Sequence, residues 1–109
     1  MSTGSPTFRH RLLVECLGTA LLLAFGCGAV MVDGLHQGAL GLIGIAIAWA
    51  SLVAVLVYAF GHVSGTQINP AVTVALWSIG RVPAREVVPL VAAQVVGATI
   101  GSALTTWLL

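Results

Sequence analysis

The residues best suited to chemistry lie in one stretch, residues 61–70, which reads Gly-His-Val-Ser-Gly-Thr-Gln-Ile-Asn-Pro between two apolar segments. Its end predicts the start of a helix, because Asn69 is a favoured N-cap and Pro70 is favoured at the first helical position. A helix N-terminus carries unpaired N–H groups and the positive end of the helix dipole, so it repels cations. The Asn69 amide can donate to the oxygen of a neutral hydroxylic molecule, and the carbonyls of residues 65–68 would add a ladder of acceptors.

A second candidate is Glu15, the acidic side chain that falls deep within an apolar stretch. A carboxylate inside a membrane span is a functional candidate by default. The sequence contains no pairing of nucleophile with base, no metal-ligand cluster and no phosphate-binding loop, so it predicts neither an enzyme nor a metal or cofactor site.

The composition indicates which surroundings these residues need. Of 109 residues, 59% are hydrophobic and only 6% are charged, whereas a soluble domain has about 25% charged residues. The chain is therefore predicted to be an integral membrane protein that contacts the lipid bilayer. It has no lysine and no basic stripe, which excludes a nucleic-acid partner.

Three apolar stretches are each about 20 residues long, the length of a membrane-crossing helix. The predicted spans are residues 12–32, 39–60 and 87–109. Residues 61–80 differ, because their polar, glycine-rich first part predicts irregular backbone, which survives at membrane depth only when buried in protein or lining a watery cavity. The apolar run at residues 71–79 then predicts a helix of about 15 Å, half the hydrocarbon core. The expected fold is an all-α membrane protein with three transmembrane helices and one re-entrant half-helix, a single domain over residues 1–109.

Small residues recur four apart at two places, which predicts helices that approach each other closely. The two sets are Ala20, Ala24 and Gly28, and Ala93, Gly97 and Gly101. The alternative is that these residues simply face lipid.

The arginines predict the orientation. With three spans and one re-entrant loop, all four fall on one face of the membrane: Arg9, Arg11, Arg81 and Arg85. The positive-inside rule then predicts that residues 1–11 form a cytoplasmic N-terminus and that the loop enters from the cytoplasm. The expected location is the plasma (inner) membrane.

Two parts of the predicted re-entrant segment, residues 61–80, resemble the first signature loop of the aquaporins and aquaglyceroporins, the major intrinsic protein family: residues 61–65, Gly-His-Val-Ser-Gly, and residues 69–73, Asn-Pro-Ala-Val-Thr. Residues 15–19, Glu-Cys-Leu-Gly-Thr, and residues 93–98, Ala-Gln-Val-Val-Gly-Ala, are similar to the first half of that family in the same order. The resemblance covers nearly the whole chain. It implies one half of the aquaporin inverted-repeat fold, with a pore where Asn69 meets its counterpart in a second half.

The resemblance also assigns roles to single residues. It implies that Glu15, Gln94 and His62 support the loop. The implied pore residues are Gly65, Thr66, Gln67, Ile68, Asn69, Pro70 and Ala71. Gln67 stands where the family usually has a histidine.

An outer constriction is implied at Trp49, twenty residues before Asn69, and a tryptophan there is similar to the glycerol facilitators. The alternative for Trp49 is an anchor at the membrane interface. The family's filter arginine follows a second Asn-Pro-Ala motif, and Val72 occupies the matching place here. In a pair of identical chains, Trp49 of one copy would meet Val57, Thr66 and Val72 of the other, an unusually apolar mouth.

Three spans cannot enclose a pore, so the missing half must have inverted topology. The resemblance implies half of a passive channel for water and/or small neutral solutes such as glycerol, and we expect an antiparallel homo-oligomer, extending to a tetramer of pores. The one-sided arginines oppose dual insertion and favour the alternative of a separate second-half subunit. Further alternatives are a non-conducting or partner-dependent subunit, a truncated fragment of a full-length aquaporin, and a small multidrug transporter, which would need four complete spans.

Overall fold

The computed structural model describes residues 5–109, so residues 1–4 of the predicted cytoplasmic N-terminus lie outside the described residues. The chain forms four helices: α1 (Phe8–Leu35), α2 (Gly41–Ser64), α3 (Pro70–Ser78) and α4 (Ala84–Leu108). Helices α1, α2 and α4 are long and apolar enough to cross a membrane. Helix α3 has nine residues, about half the length of a span. The all-α fold of three spans and a half-helix is therefore confirmed.

The helix ends differ from the sequence-based bounds. Helix α1 begins at Phe8 because the Thr7 hydroxyl accepts a hydrogen bond from the His10 N–H at 3.2 Å. Residues 61–64 were expected to be irregular, but they continue helix α2. The physical reason is that Gly65, at a φ of 83°, supplies the left-handed C-cap that ends the helix, and its N–H bonds to the carbonyl of Gly61.

Helix α1 is central, since it packs against both α2 and α4, while α3 packs against α4. Gly97 and Gly101 of α4 lie against the backbone of Cys16 and Ala20 of α1, so closely that a Cβ at either glycine would collide with a carbonyl oxygen. The close approach predicted from the small residues is confirmed for this pair of helices.

Helix α1 also contacts α2, and there a large side chain packs over a glycine. The six-membered ring of Trp49 covers Gly26, where an added Cβ would lie 2.5 Å from the ring. Leu22, Leu56 and Ile68 form the buried apolar cluster beside it. This cluster joins α1, α2 and the segment before α3.

The position of α3 along the bundle follows from two contacts. Helices α1 and α4 begin at the same end, because the Arg11 guanidinium and the Glu86 carboxylate form an ion pair at 2.9 Å. Near the start of α3, Thr73 bonds to Gln94, which lies ten residues along α4 from Ala84, or roughly 15 Å. Helix α3 therefore runs from mid-depth back to the end where α4 begins.

Candidate functional site

The tip of the half-helix is an asparagine that faces away from the body of the protein. Asn69 has extended backbone, and its Oδ1 accepts a hydrogen bond from the Ala71 N–H at 2.8 Å. Pro70 follows at the first helical position and is half-buried, whereas Asn69 and Ala71 are exposed. Because Oδ1 is used by the cap, the Nδ2 group is the part of this side chain that can donate outward.

The segment before this tip has an unusual backbone. Gly65, Thr66 and Ile68 all have positive φ, at 83°, 49° and 43°. The left-handed region is strained for Thr and Ile, whose Cβ is branched, and such strain persists only where surrounding contacts enforce it. The carbonyls of residues 65–68 accept no hydrogen bond from the described part of the chain, so they are available as acceptors.

The contacts that enforce this backbone converge on Glu15, whose side chain is completely buried. Its two carboxylate oxygens accept four hydrogen bonds, two at each oxygen. The donors are Ser64 Oγ at 2.7 Å, the Gln67 N–H at 3.1 Å, the Ile68 N–H at 2.8 Å and Gln94 Nε2 at 2.9 Å. One side chain of α1 thereby holds the end of α2, the loop and α4 together.

A chain of side-chain hydrogen bonds extends from this carboxylate to the loop. Gln94 Nε2 donates to Glu15 and also to Thr73 Oγ1, at 2.9 Å in each case. The Thr73 hydroxyl in turn donates to Gln67 Oε1. Gln94 and Thr73 are fully buried, and Gln67 is 9% exposed.

Ser64 and Thr73 were absent from the sequence-based site. Ser64 both donates to Glu15 and accepts the Thr66 N–H at 3.1 Å, so it caps the turn out of α2. Thr73 is the one polar residue within the apolar run from Ala71 to Trp77. That isolated hydroxyl, facing the same side as the loop, was the signal that could have found it.

The remaining candidates are more scattered. His62 is exposed in the last turn of α2 and makes no hydrogen bond to the described residues that brace the loop. Trp49 is half-buried on Gly26. Val57 and Val72 are exposed, whereas Thr66 is buried with its hydroxyl 3.5 Å from the Leu56 carbonyl oxygen. The predicted filter needs Trp49 of one copy and Val57, Thr66 and Val72 of another, so its assembly stays a prediction.

Fold and site together define an all-helical membrane protein in which a buried glutamate holds a half-helix at mid-depth. The chain belongs to the major intrinsic protein family, whose sequence profile matches residues 2–109. It is 48% identical to aquaporin NIP1-2 of Arabidopsis thaliana, over 91% of this chain and 34% of that protein. It is 43% identical to the probable aquaporin AqpM of Archaeoglobus fulgidus, over 90% of this chain and 47% of that protein. The chain therefore spans between a third and a half of these relatives.

Proposed function

We propose that this chain is half of a passive membrane channel and that it pairs with a second, inverted half to form a pore for water and/or small neutral solutes such as glycerol. The observation that carries the proposal is the exposed Asn69 at the mid-depth end of a nine-residue helix. A polar helix end at this depth is stable only beside protein or a watery passage. Membership of a channel family supports the same function.

The need for a second half follows from the surfaces that one chain leaves open. Within residues 5–109, α3 packs only against α4, and its Val72, Val74 and Trp77 side chains are exposed. A second half-helix meeting α3 end to end would place two Asn69-type tips together, and the spans of that second half would cover these side chains. We favour an antiparallel copy of this chain as the partner, with such pores gathered into a tetramer. A separate second-half subunit is the alternative.

A partner-dependent or non-conducting subunit, or a truncated fragment of a full-length aquaporin, is the second candidate function. Two observations favour it. The chain spans 34% of its Arabidopsis thaliana relative, and its arginines lie toward one end of the helix bundle. A small multidrug transporter receives less support, because α3, with nine residues, is too short to complete the four spans it needs.

We place the chain in the plasma (inner) membrane with its N-terminus in the cytoplasm. The ion pair between Arg11 and Glu86 supports this orientation, because it brings the start of α1 to the start of α4 and so groups Arg9, Arg11 and Arg85 at one end. Arginine-rich ends remain on the cytoplasmic side.

Swelling of lipid vesicles tests the channel function. Vesicles that contain the purified chain should take up glycerol and water faster than empty vesicles, without a proton current. The Asn69→Asp variant retains an oxygen for the cap but loses the outward N–H donor and adds a negative charge. We expect its glycerol uptake to fall about tenfold, the effect of one hydrogen bond of ordinary strength.

Thr99→Val is the matched control, because Thr99 is exposed on α4 and its hydroxyl bonds only to the Val95 carbonyl of its own helix. Its uptake should equal that of the unaltered chain. If the unaltered chain leaves permeability at the lipid background, the homomeric channel is rejected and the partner-dependent subunit takes its place.

A further inference from the structure

The orientation of the Gln94 side chain is imposed by its neighbour. Glu15 accepts hydrogen bonds from four donors, so the Gln94 group that meets its Oε1 must be the Nε2 amide. The second hydrogen of that amide goes to Thr73 Oγ1. Gln94 Oε1 is consequently the one buried side-chain polar atom that lacks a partner within the described chain. If the amide were flipped, this oxygen would face the Glu15 carboxylate, and two acceptor oxygens would repel each other.

The orientation of the Gln67 amide is fixed in turn by Thr73. Because the Thr73 hydroxyl accepts from Gln94, its single hydrogen is directed to Gln67 Oε1. Gln67 therefore holds its oxygen inward. Its Nε2 bonds to none of the described residues. This atom is not fully buried, so it reaches the accessible surface of the loop. This surface lies two residues before Asn69.

We infer that Gln67 Nε2 is a fixed hydrogen-bond donor that binds the oxygen atoms of permeating solutes, and that Thr73 and Gln94 are positioning residues that hold it in this orientation. The inference rests on the proposed channel function for the presence of the solute. Its ligand class is a small neutral molecule with hydroxyl or carbonyl oxygens. With Asn69 Nδ2 it supplies two donors along one side of the passage, which suits a molecule with more than one acceptor oxygen.

Side-chain amide signals test the orientation without any transport measurement. The chain contains three glutamines and one asparagine, so a ¹⁵N-labelled sample in lipid nanodiscs has four side-chain NH₂ groups to assign. We expect the NH₂ protons of Gln67 to exchange with water and those of Gln94 to be protected. The inference is overturned if the Gln67 amide is as protected as that of Gln94.

Removal of the positioning hydroxyl gives the second test. In the Thr73→Val variant, the Gln67 NH₂ signals should move toward those of the exposed Gln37, because the bond that fixes the amide is lost. Thr73→Ser should restore the original positions, and Thr99→Val should not change them. Unchanged Gln67 signals in a folded Thr73→Val variant contradict the positioning role.

Transport by Gln67 variants gives the third test in case Thr73→Val does not fold. Gln67→Met keeps the length of the side chain but has no donor, and we expect glycerol uptake about tenfold slower, with Thr99→Val again as control. An unchanged glycerol rate in conducting vesicles overturns the inference. If even the unaltered chain does not conduct, the proposed function fails, and the amide signals alone decide the inference.

Discussion

At the scale of single residues, Glu15 has the largest effect on the site. It is fully buried, and its four hydrogen bonds include the N–H groups of Gln67 and Ile68, two residues of the strained loop. Buried backbone N–H groups that lose their partner destabilise a protein by about 1–3 kcal/mol each. The carboxylate therefore stabilises a backbone conformation that Thr66 and Ile68 would otherwise avoid.

We predict that Glu15→Gln lowers the free energy of unfolding by a few times as much as the same substitution at a surface glutamate. An amide can accept at only one of its two ends, so two of the four donors lose their acceptor, at about 1–3 kcal/mol each. Thermal unfolding in detergent micelles measures the difference. Glu86→Gln is the control, because the partly exposed ion pair with Arg11, near the end of the helix bundle, contributes about 0–1 kcal/mol. Equal shifts in the two variants would contradict the bracing role.

At the scale of helices, the contact between α1 and α4 depends on the absence of side chains. Gly97 and Gly101 let the α4 backbone touch the carbonyl groups of Cys16 and Ala20. This close packing sets the distance from Glu15 on α1 to Gln94 on α4, which lies one turn before Gly97. An element contact thus controls the geometry of the site.

We predict that Gly97→Ala destabilises the pair of helices by about 1–3 kcal/mol, because the added methyl group collides with backbone that cannot rotate away. The measurement is the thermal midpoint in micelles, together with the Gln94 side-chain amide shift. Gly28→Ala is the matched control on the same helix pair, since its Cβ would lie at an ordinary 3.7 Å from the Thr105 methyl. If the Gly97→Ala variant is as stable as the Gly28→Ala variant, the two helices can move apart without loss of stability, and the prediction is wrong.

At the scale of the whole molecule, assembly and charge distribution conflict. An antiparallel pair requires the chain to insert in both directions, whereas grouped arginines favour one direction. Arg11 is already paired with Glu86, so Arg9, Arg81 and Arg85 supply the unpaired charge among residues 5–109.

We predict that a single cysteine placed at Ser5, in a Cys16→Ala/Cys27→Ala background, is labelled from both faces of the membrane if identical chains pair. Replacement of Arg81 and Arg85 by glutamine should move the two labelled fractions toward equality, while replacement by lysine should not. One-sided labelling of every variant would reject the homomeric pair and favour a separate second half.

Local sequence signals were sufficient for the outline of this protein. Span length and hydropathy predicted three transmembrane helices, and the Asn69-Pro70 pair predicted the start of the half-helix, because a cap acts on residues two or three positions away. The four-residue spacing of Gly97 and Gly101 indicated a close helix contact, though not which helix would meet it. Hydrophobic length and capping act within one element, so they can be read before the fold is known.

Only the tertiary structure decided how the site is assembled. The partners of Glu15 lie 49 to 79 residues away along the chain, and no local pattern states which of them will meet its carboxylate. The same holds for the bond from Thr73 to Gln67 and for Trp49 on Gly26. These pairings depend on where α1, α2 and α4 pack, and packing is set by the shape of all three helices at once. The direction in which Gln67 presents its amide is the outcome of that packing.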